Sequence, residues 1–277
     1  MRHGCGCAGG RNGSPMSDPL VALHAVLRGI ARAEVAVSGG VDSLTLAAAA
    51  HDVLGARATM RHATSPAVPP EATARVRALA AARGWALDVF DAGEFADPRY
   101  RANPADRCFF CKTNLYGAIA ARAGGTILSG TNSDDLADWR PGLRAASQHG
   151  VRHPFVETGI DKATVRQLAA RLGLGAVADL PAAPCLSSRI ETGLRVEPEL
   201  LALIHRAERL LAEALAPRTV RARLRAAGLV IELDPEALHR AAPHRDSLVA
   251  ALRALTDRPI SFAPYRTGSA FLRGAHP

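Results

Sequence analysis

The stretch AEVAVSGGVDSLTLA, Ala33 to Ala47, runs from a short apolar segment through two glycines into a second, longer apolar pattern. Small residues Ser38, Gly39 and Gly40 end a buried strand and, with Val41, open a helix that carries Asp42 and Ser43 at its start. Successive backbone N–H groups then form a concave nest at a helix N-terminus, and an anion belongs there. The G-x-x-x-x-G-K-[ST] pattern is missing, which excludes a Walker A loop. Ser-Gly-Gly-x-Asp-Ser instead suits a tighter cradle for pyrophosphate, with Ser43 as a hydroxyl donor. Asp42 is out of place beside phosphates unless it holds a cation, magnesium first, or fixes the loop. A plain glycine-rich strand-to-helix turn is the bland alternative, and the fit of the whole hexapeptide weighs against it.

Outward from this loop the text alternates. PLVALHAVLRGI reads as a helix, AEVAVS as a strand, DSLTLAAAAHDVLG as a helix and ARATMRHAT as a strand. PPEATARVRALAAARG, FFCKTNLYGAIAARAG and DKATVRQLAARLGL follow as helices, interleaved with the strands WALDVFD and TILSGT. Such alternation predicts an α/β fold, a parallel sheet covered by helices on both faces. After LPAAPCLSSRIETG the style changes to a long helix over Glu197 to Ala214, strands RTVRARL and LVIELD about a turn at Ala226 to Gly228, helix from Pro235 to Leu255, and a last strand PISFA. This is a smaller α+β domain. The expected organisation is a disordered head over 1–15, a nucleotide-binding domain over 16–190, and a substrate-binding or oligomerisation domain over 191–277.

The chain has 277 residues, 48% of them hydrophobic, enough to bury a real core. Its apolar runs fall short of a membrane span and its N-terminus lacks the apolar core of a signal peptide, so a cytoplasmic location is expected. The charge of +8 ordinarily suggests nucleic acid. Here lysine occurs only at Lys112 and Lys162, and the excess of arginine travels with an excess of alanine, which points to coding bias rather than a basic groove. Aromatic residues, the stacking platforms for bases, are 4%. Nucleic acid is therefore not an expected partner.

Five cysteines are present, and RCFFCK, Arg107 to Lys112, holds two of them three positions apart. A disulfide does not suit a reducing compartment. A zinc half-site lacks a second short-range Cys or His pair, and a thioredoxin-like pair would not follow the polar loop ANPADRC. An iron–sulfur cluster or inert packing remain. Cys5 and Cys7 read as incidental.

The Ser38–Ser43 loop resembles that of the PP-loop ATP pyrophosphatases, which cleave ATP between the α and β phosphates and transfer AMP to a substrate. Four further segments, SGTNSDDLADWRPGLRAA, RHPFVETGIDKATVRQLAARLGL, PAAPCLSSRI and VRARLRAAGLVIEL, resemble the LarE-type ATP-dependent sulfur transferases of nickel-pincer nucleotide cofactor biosynthesis. The resemblance covers about residues 20 to 270. It implies a pyridinium dicarboxylate mononucleotide substrate whose carboxylate is adenylated and then converted to a thiocarboxylate by sulfur at Cys185. The chemistry is sound: the oxide of a carboxylate is a poor leaving group, AMP a good one, and a thiolate is a good nucleophile. Arg189, just after Cys185, would favour the ionised thiol. In this family some members sacrifice the sulfur of a single cysteine, leaving dehydroalanine, whereas others carry a Cys-x-x-Cys pair and a [4Fe-4S] cluster. This chain has the pair, so the resemblance implies Cys108, Cys111 and Cys185 as cluster ligands and an external sulfide donor. The alternatives are Cys185 acting alone, or a tRNA thiolase of the same superfamily.

The same resemblance implies that Thr64 and Ser65 contact adenosine and that Gly130, Asp134, Asp135 and Arg140 line the cleft. Arg221 and Arg223, alternating along one strand, would grip the substrate phosphate, with Glu232 on the neighbouring strand at a metal or substrate position. ATP, Mg2+ and [4Fe-4S] are the implied cofactors, and a homo-oligomer the implied assembly. One departure is IETG, from Ile190 to Gly193, where the family carries a Pro-Tyr-Gly-like sequence.

Overall fold

The computed structural model describes residues 18–122, 124–136, 141–181 and 184–270. In chain order these form α1 (Pro19–Arg28), β1 (Ala33–Ala36), α2 (Val41–Leu54), β2 (Ala58–Thr64), α3 (Pro70–Arg83), β3 (Ala86–Asp91), α4 (Pro98–Arg101), α5 (Arg107–Arg122), β4 (Thr126–Ser129), α6 (Pro141–Gln148), α7 (Pro154–Glu157), α8 (Lys162–Arg171), α9 (Pro198–Leu215), β5 (Val220–Arg225), β6 (Gly228–Leu233), α10 (Pro235–Ala241), α11 (Arg245–Arg253) and β7 (Ile260–Pro264). The expected disordered head lies outside the described residues, as do Cys5, Cys7 and Arg140.

Strands β3, β2, β1 and β4 lie in that order, every pair parallel. A parallel sheet needs both faces covered. On one face α1, α2, α3 and α8 pack against Val35, Met60 and Leu128. On the other, Tyr116 and Ile119 of α5 and Ala146 of α6 pack against Phe90 and Ile127. Helix α2 is buried nearly all round, and the run Ala47–Ala50, at 0% exposure, lets it lie close against the sheet. The α/β class read from the alternation is the one observed.

The chain steps outward from β1 to β2 and β3, then returns to place β4 on the other side of β1. The reversal opens a crevice at the carboxyl ends of β1 and β4, where ligands bind in open α/β sheets.

A second, mixed sheet has the order β5-β6-β7, antiparallel then parallel. Helix α9 covers it with Leu201, Ile204, Ala207, Leu211 and Leu215, spaced as one helical face. This core also takes in Tyr100, Leu186 and Ile190 from earlier in the chain. The single helix expected over Pro235 to Leu255 is instead α10 and α11, separated by a 3-10 turn at Ala242–His244. Pro243 is the cause: it has no N–H to donate, and its ring collides with the carbonyl four residues back.

Candidate functional site

Residues 37–40 leave β1 and pass directly into α2. Gly39 has φ 84°, and a Cβ there would meet the Ala72 carbonyl oxygen at 2.8 Å. No side chain with a Cβ fits unless the loop moves away from α3. Arg75 Nη1 donates to the Gly39 carbonyl at 2.6 Å, so this loop oxygen is already engaged by a cation from α3. Ser43 Oγ accepts from Ser38 N (3.1 Å), lies 3.1 Å from Ser38 Oγ and donates to Gly40 O (3.1 Å), so the two serines brace the turn from within. Gly40 is the N-cap of α2 with no side-chain cap, and the helix's first N–H groups carry its positive end. Behind the loop, His62 is 0% exposed, with Nδ1 2.8 Å from Val37 O and Nε2 2.9 Å from Thr73 Oγ1.

The loop after β4 closes the other wall. A Cβ on Gly130 would meet the backbone carbon of Asp42 at 2.8 Å, so the chain crosses the start of α2 where only glycine fits. Asn132 Nδ2 donates to Asp42 Oδ1 (3.2 Å), and its backbone N–H donates to Asp135 Oδ2 (3.1 Å). Lys162 Nζ lies 2.5 Å from Asp42 Oδ2. Lys162 is the first residue of α8, placed by the Asp161 N-cap and by its own N–H donating to Asp134 Oδ2 at 3.1 Å. A lysine and an aspartate thus share the mouth of the nest. On the far side Thr64 Oγ1 donates to Phe90 O (3.3 Å), and Ser65 Oγ accepts from Ala67 N (3.3 Å).

Helix α5 begins at Arg107, so Cys108 and Cys111 both lie in its first turn and a half, three positions apart on one side. Both are half-buried, whereas Cys185 is exposed. Burial pushes the Cys111 thiol up to about 12; Cys108 is raised too, by burial and then by the nearby charge of Cys185. Lys112 and Arg107 oppose these effects. The three thiols therefore come within electrostatic reach of one another. Among the described residues no three His, Cys, Asp or Glu side chains are gathered to hold a single metal ion. Buried Glu94 stands between the two regions: burial raises its pKa, Ser65 hydrogen-bonds to it, and its charge reaches Cys111.

Two expectations need correction. Arg189 does not turn its charge toward the Cys185 thiol; it donates to the carbonyls of Pro184 (2.5 Å) and Cys185 (3.0 Å) and pairs with Glu208 at 2.9 Å. Glu208 offsets its charge, and the guanidinium shapes the turn that carries the cysteine. Nor does Arg223 project outward. It is 3% exposed, with Nε 3.0 Å from Glu232 Oε2 and Nη1 donating to Ser188 O at 3.1 Å. A phosphate cannot reach it without breaking that pair. Arg221 is half-buried, donates to Val220 O and lies 5.9 Å from the centre of the Tyr265 ring. Glu191, in the departing IETG segment, pairs with Arg225 at 3.6 Å, and Arg225 pairs with Glu232 at 3.3 Å.

No family model matches the chain. An uncharacterized protein of Synechocystis sp. is 41% identical over 213 residues, 76% of this chain and 79% of that protein. The pyridinium-3,5-bisthiocarboxylic acid mononucleotide synthase of Lactiplantibacillus plantarum is 33% identical over 220 residues, 78% of this chain and 79% of its own. The chain belongs to the LarE family of such synthases. An uncharacterized protein of Methanocaldococcus jannaschii is 29% identical over a shorter span of 113 residues.

Within this LarE-family chain, the Ser38 to Ser43 turn and the loop from Gly130 to Asp135 meet at one crevice, joined by the Asn132–Asp42 bond. Lys162 and Asn132 complete the mouth of the nest. Composition marks Lys162, one of only two lysines and beside a motif, but gives it no role, and Asn132 is not singled out from the sequence.

Proposed function

We propose that the chain is an adenylating sulfur transferase of the PP-loop type, acting on a carboxylate of a pyridinium dicarboxylate mononucleotide and producing the thiocarboxylate. The observation that carries this reading is the glycine nest at the switch point, with Asp42 and Lys162 at its mouth. Pyrophosphate is the anion that fits a nest with one cation and one cation-binding carboxylate beside it. Supporting it, the relative from Lactiplantibacillus plantarum is named for a bisthiocarboxylic acid mononucleotide.

In this reading the substrate carboxylate oxygen attacks the α-phosphate of ATP and pyrophosphate leaves, held by the loop N–H groups, Ser38, Ser43 and Lys162. Asp42, which pairs with Lys162 here, would hold the magnesium that accompanies ATP. Thr64 and Ser65 border the adenosine. Sulfur then attacks the acyl carbon and AMP departs with the bonding electrons, the anhydride having replaced a poor leaving group by a good one.

The sulfur comes by way of Cys108, Cys111 and Cys185. Cys108, Cys111 and Cys185, whose charges reach one another, would be the residues that hold a [4Fe-4S] cluster. Arg107 and Lys112 are the cations that offset such a site's negative charge. When bound, a cluster with one iron free of protein ligands would supply a replaceable sulfide. The exposure of Cys185 alone favours a second reading, in which it gives up its own sulfur.

The test is anaerobic turnover with ATP, magnesium, sulfide and the dicarboxylate mononucleotide. AMP and pyrophosphate are expected in step with thiocarboxylate, and Lys162→Met should slow pyrophosphate release at least about tenfold, the loss of one charge-assisted contact. ADP and phosphate as products would overturn the adenylation reading. Dehydroalanine at Cys185, one per product, would select the sacrificial reading.

A further inference from the structure

The segment from Asp97 to Arg107 is sewn to both cysteine-bearing pieces of chain. Asp97 caps α4 by accepting from Arg99 N (2.9 Å) and also accepts from Asn114 Nδ2 of α5 (3.0 Å), bracing it to the Cys108–Cys111 helix. Asn103, at φ 55°, donates to the carbonyls of Glu191 (2.8 Å) and Leu194 (2.9 Å), while Gly193 N returns a bond to Asn103 O at 2.9 Å. Val196 N donates to Arg101 O at 2.8 Å. Arg107, at the start of α5, then donates to Asn103 Oδ1. The chain entering the cysteine helix and the chain leaving the Cys185 loop are held side by side.

Tyr100 sits at the centre of this clasp. It is 1% exposed, its ring stands edge-on to Phe95 at 5.3 Å, and its hydroxyl lies 2.7 Å from Ser187 Oγ, itself 0% exposed. Packing alone would be served by phenylalanine. A buried hydroxyl pair is tolerated only when bonded, and this bond forms only when the turn carrying Ser187 faces Tyr100. Ser187 follows Cys185 by two residues, so that rotation also aims the Cys185 thiol. We propose that Tyr100 is a positioning residue whose hydrogen bond to Ser187 sets the Cys185 thiol against the Cys108–Cys111 pair; this rests on the reading that the three thiols act together.

Dibromobimane tests it without ATP or iron: it joins two nearby thiolates, each displacing one bromide, and fluoresces only when both have reacted. The full chain carrying Cys5→Ser and Cys7→Ser would be treated anaerobically after its reductant is removed, and the cross-linked cysteines identified by peptide mass spectrometry. The otherwise unaltered chain should join Cys185 to Cys108 or Cys111, and Cys185→Ser should join only Cys108 to Cys111. Tyr100→Phe and Ser187→Ala should each slow cross-linking of Cys185 roughly threefold to tenfold, the worth of one neutral hydrogen bond, and combining them should add nothing. In the Cys185→Ser background neither should change the Cys108–Cys111 cross-link. An unchanged rate for Cys185 in Tyr100→Phe would overturn the proposal, as would equal slowing when Cys185 is absent, since that marks a merely structural residue. No cross-link to Cys185 in the parent chain would instead sink the three-thiol reading, and the proposal with it.

Discussion

Replacing Arg223 by alanine tests whether the second sheet offers that arginine to a ligand or keeps it as structure. Arg223 and Glu232 are 3% and 2% exposed, and their Nε and Oε2 atoms are 3.0 Å apart. Removing one member of a buried pair leaves the other charge without its partner, at about 3 to 5 kcal/mol. Glu232 keeps two other donors, Arg225 Nη2 at 3.3 Å and Ser269 Oγ at 2.5 Å, which places Arg223→Ala at the lower end, about 3 kcal/mol. For a chain of this size that is a fall of roughly 6 to 12 °C in melting temperature. Differential scanning calorimetry at neutral pH measures it. A double replacement, Arg223→Met with Glu232→Met, should cost less than the two single changes added together, because it removes both charges at once. A melting temperature of Arg223→Ala within about 2 °C of the parent, well under the size-scaled expectation, with a raised requirement for the mononucleotide, would refute the structural assignment.

Gly39→Ala should abolish pyrophosphate release while leaving the melting temperature only modestly lowered, since its Cβ would meet Ala72 O at 2.8 Å and the loop, not the core, must move. Unaltered turnover in that variant would remove the loop from the site. Burial holds His24, His62 and His153 below the ordinary value of 6.5, so the unfolded chain binds more protons than the folded one once the pH drops below about 6.5. Stability is therefore fully present above that pH and falls as the pH drops through the folded values; urea midpoints from pH 7.5 to 5 should decline, and a flat profile would contradict the buried, neutral histidines.

The strands of the first sheet were legible within about two residues because each is a short apolar run bounded by turn residues, and the nest because backbone conformation is written directly in Gly39, Gly40 and their neighbours. Side-chain partnerships were not legible. Asp42 meets Lys162 from 120 positions away, a proximity created by the return of the chain to β4. Strand period correctly put Arg221 and Arg223 on one face, but period does not report what covers that face. Ser269 and the Arg266 carbonyl do so here, and together with Glu232 they take up the polar groups. Helix α4 escaped notice because four residues carry no period at all.

The two halves of the proposed reaction must share one opening, because an acyl adenylate left in water hydrolyses before a distant sulfur arrives. The backbone enforces this. Leu186 N, next to Cys185, donates to Ala67 O at 2.9 Å, tying the cysteine turn to the loop that follows Thr64 at the end of β2 and carries Ser65. Leu186 and Ala67 are also packed in one apolar cluster, so the tie is shielded from water. A side chain could swing out of register; a buried main-chain bond between the loops holds the turn that carries Cys185 beside the loop after β2.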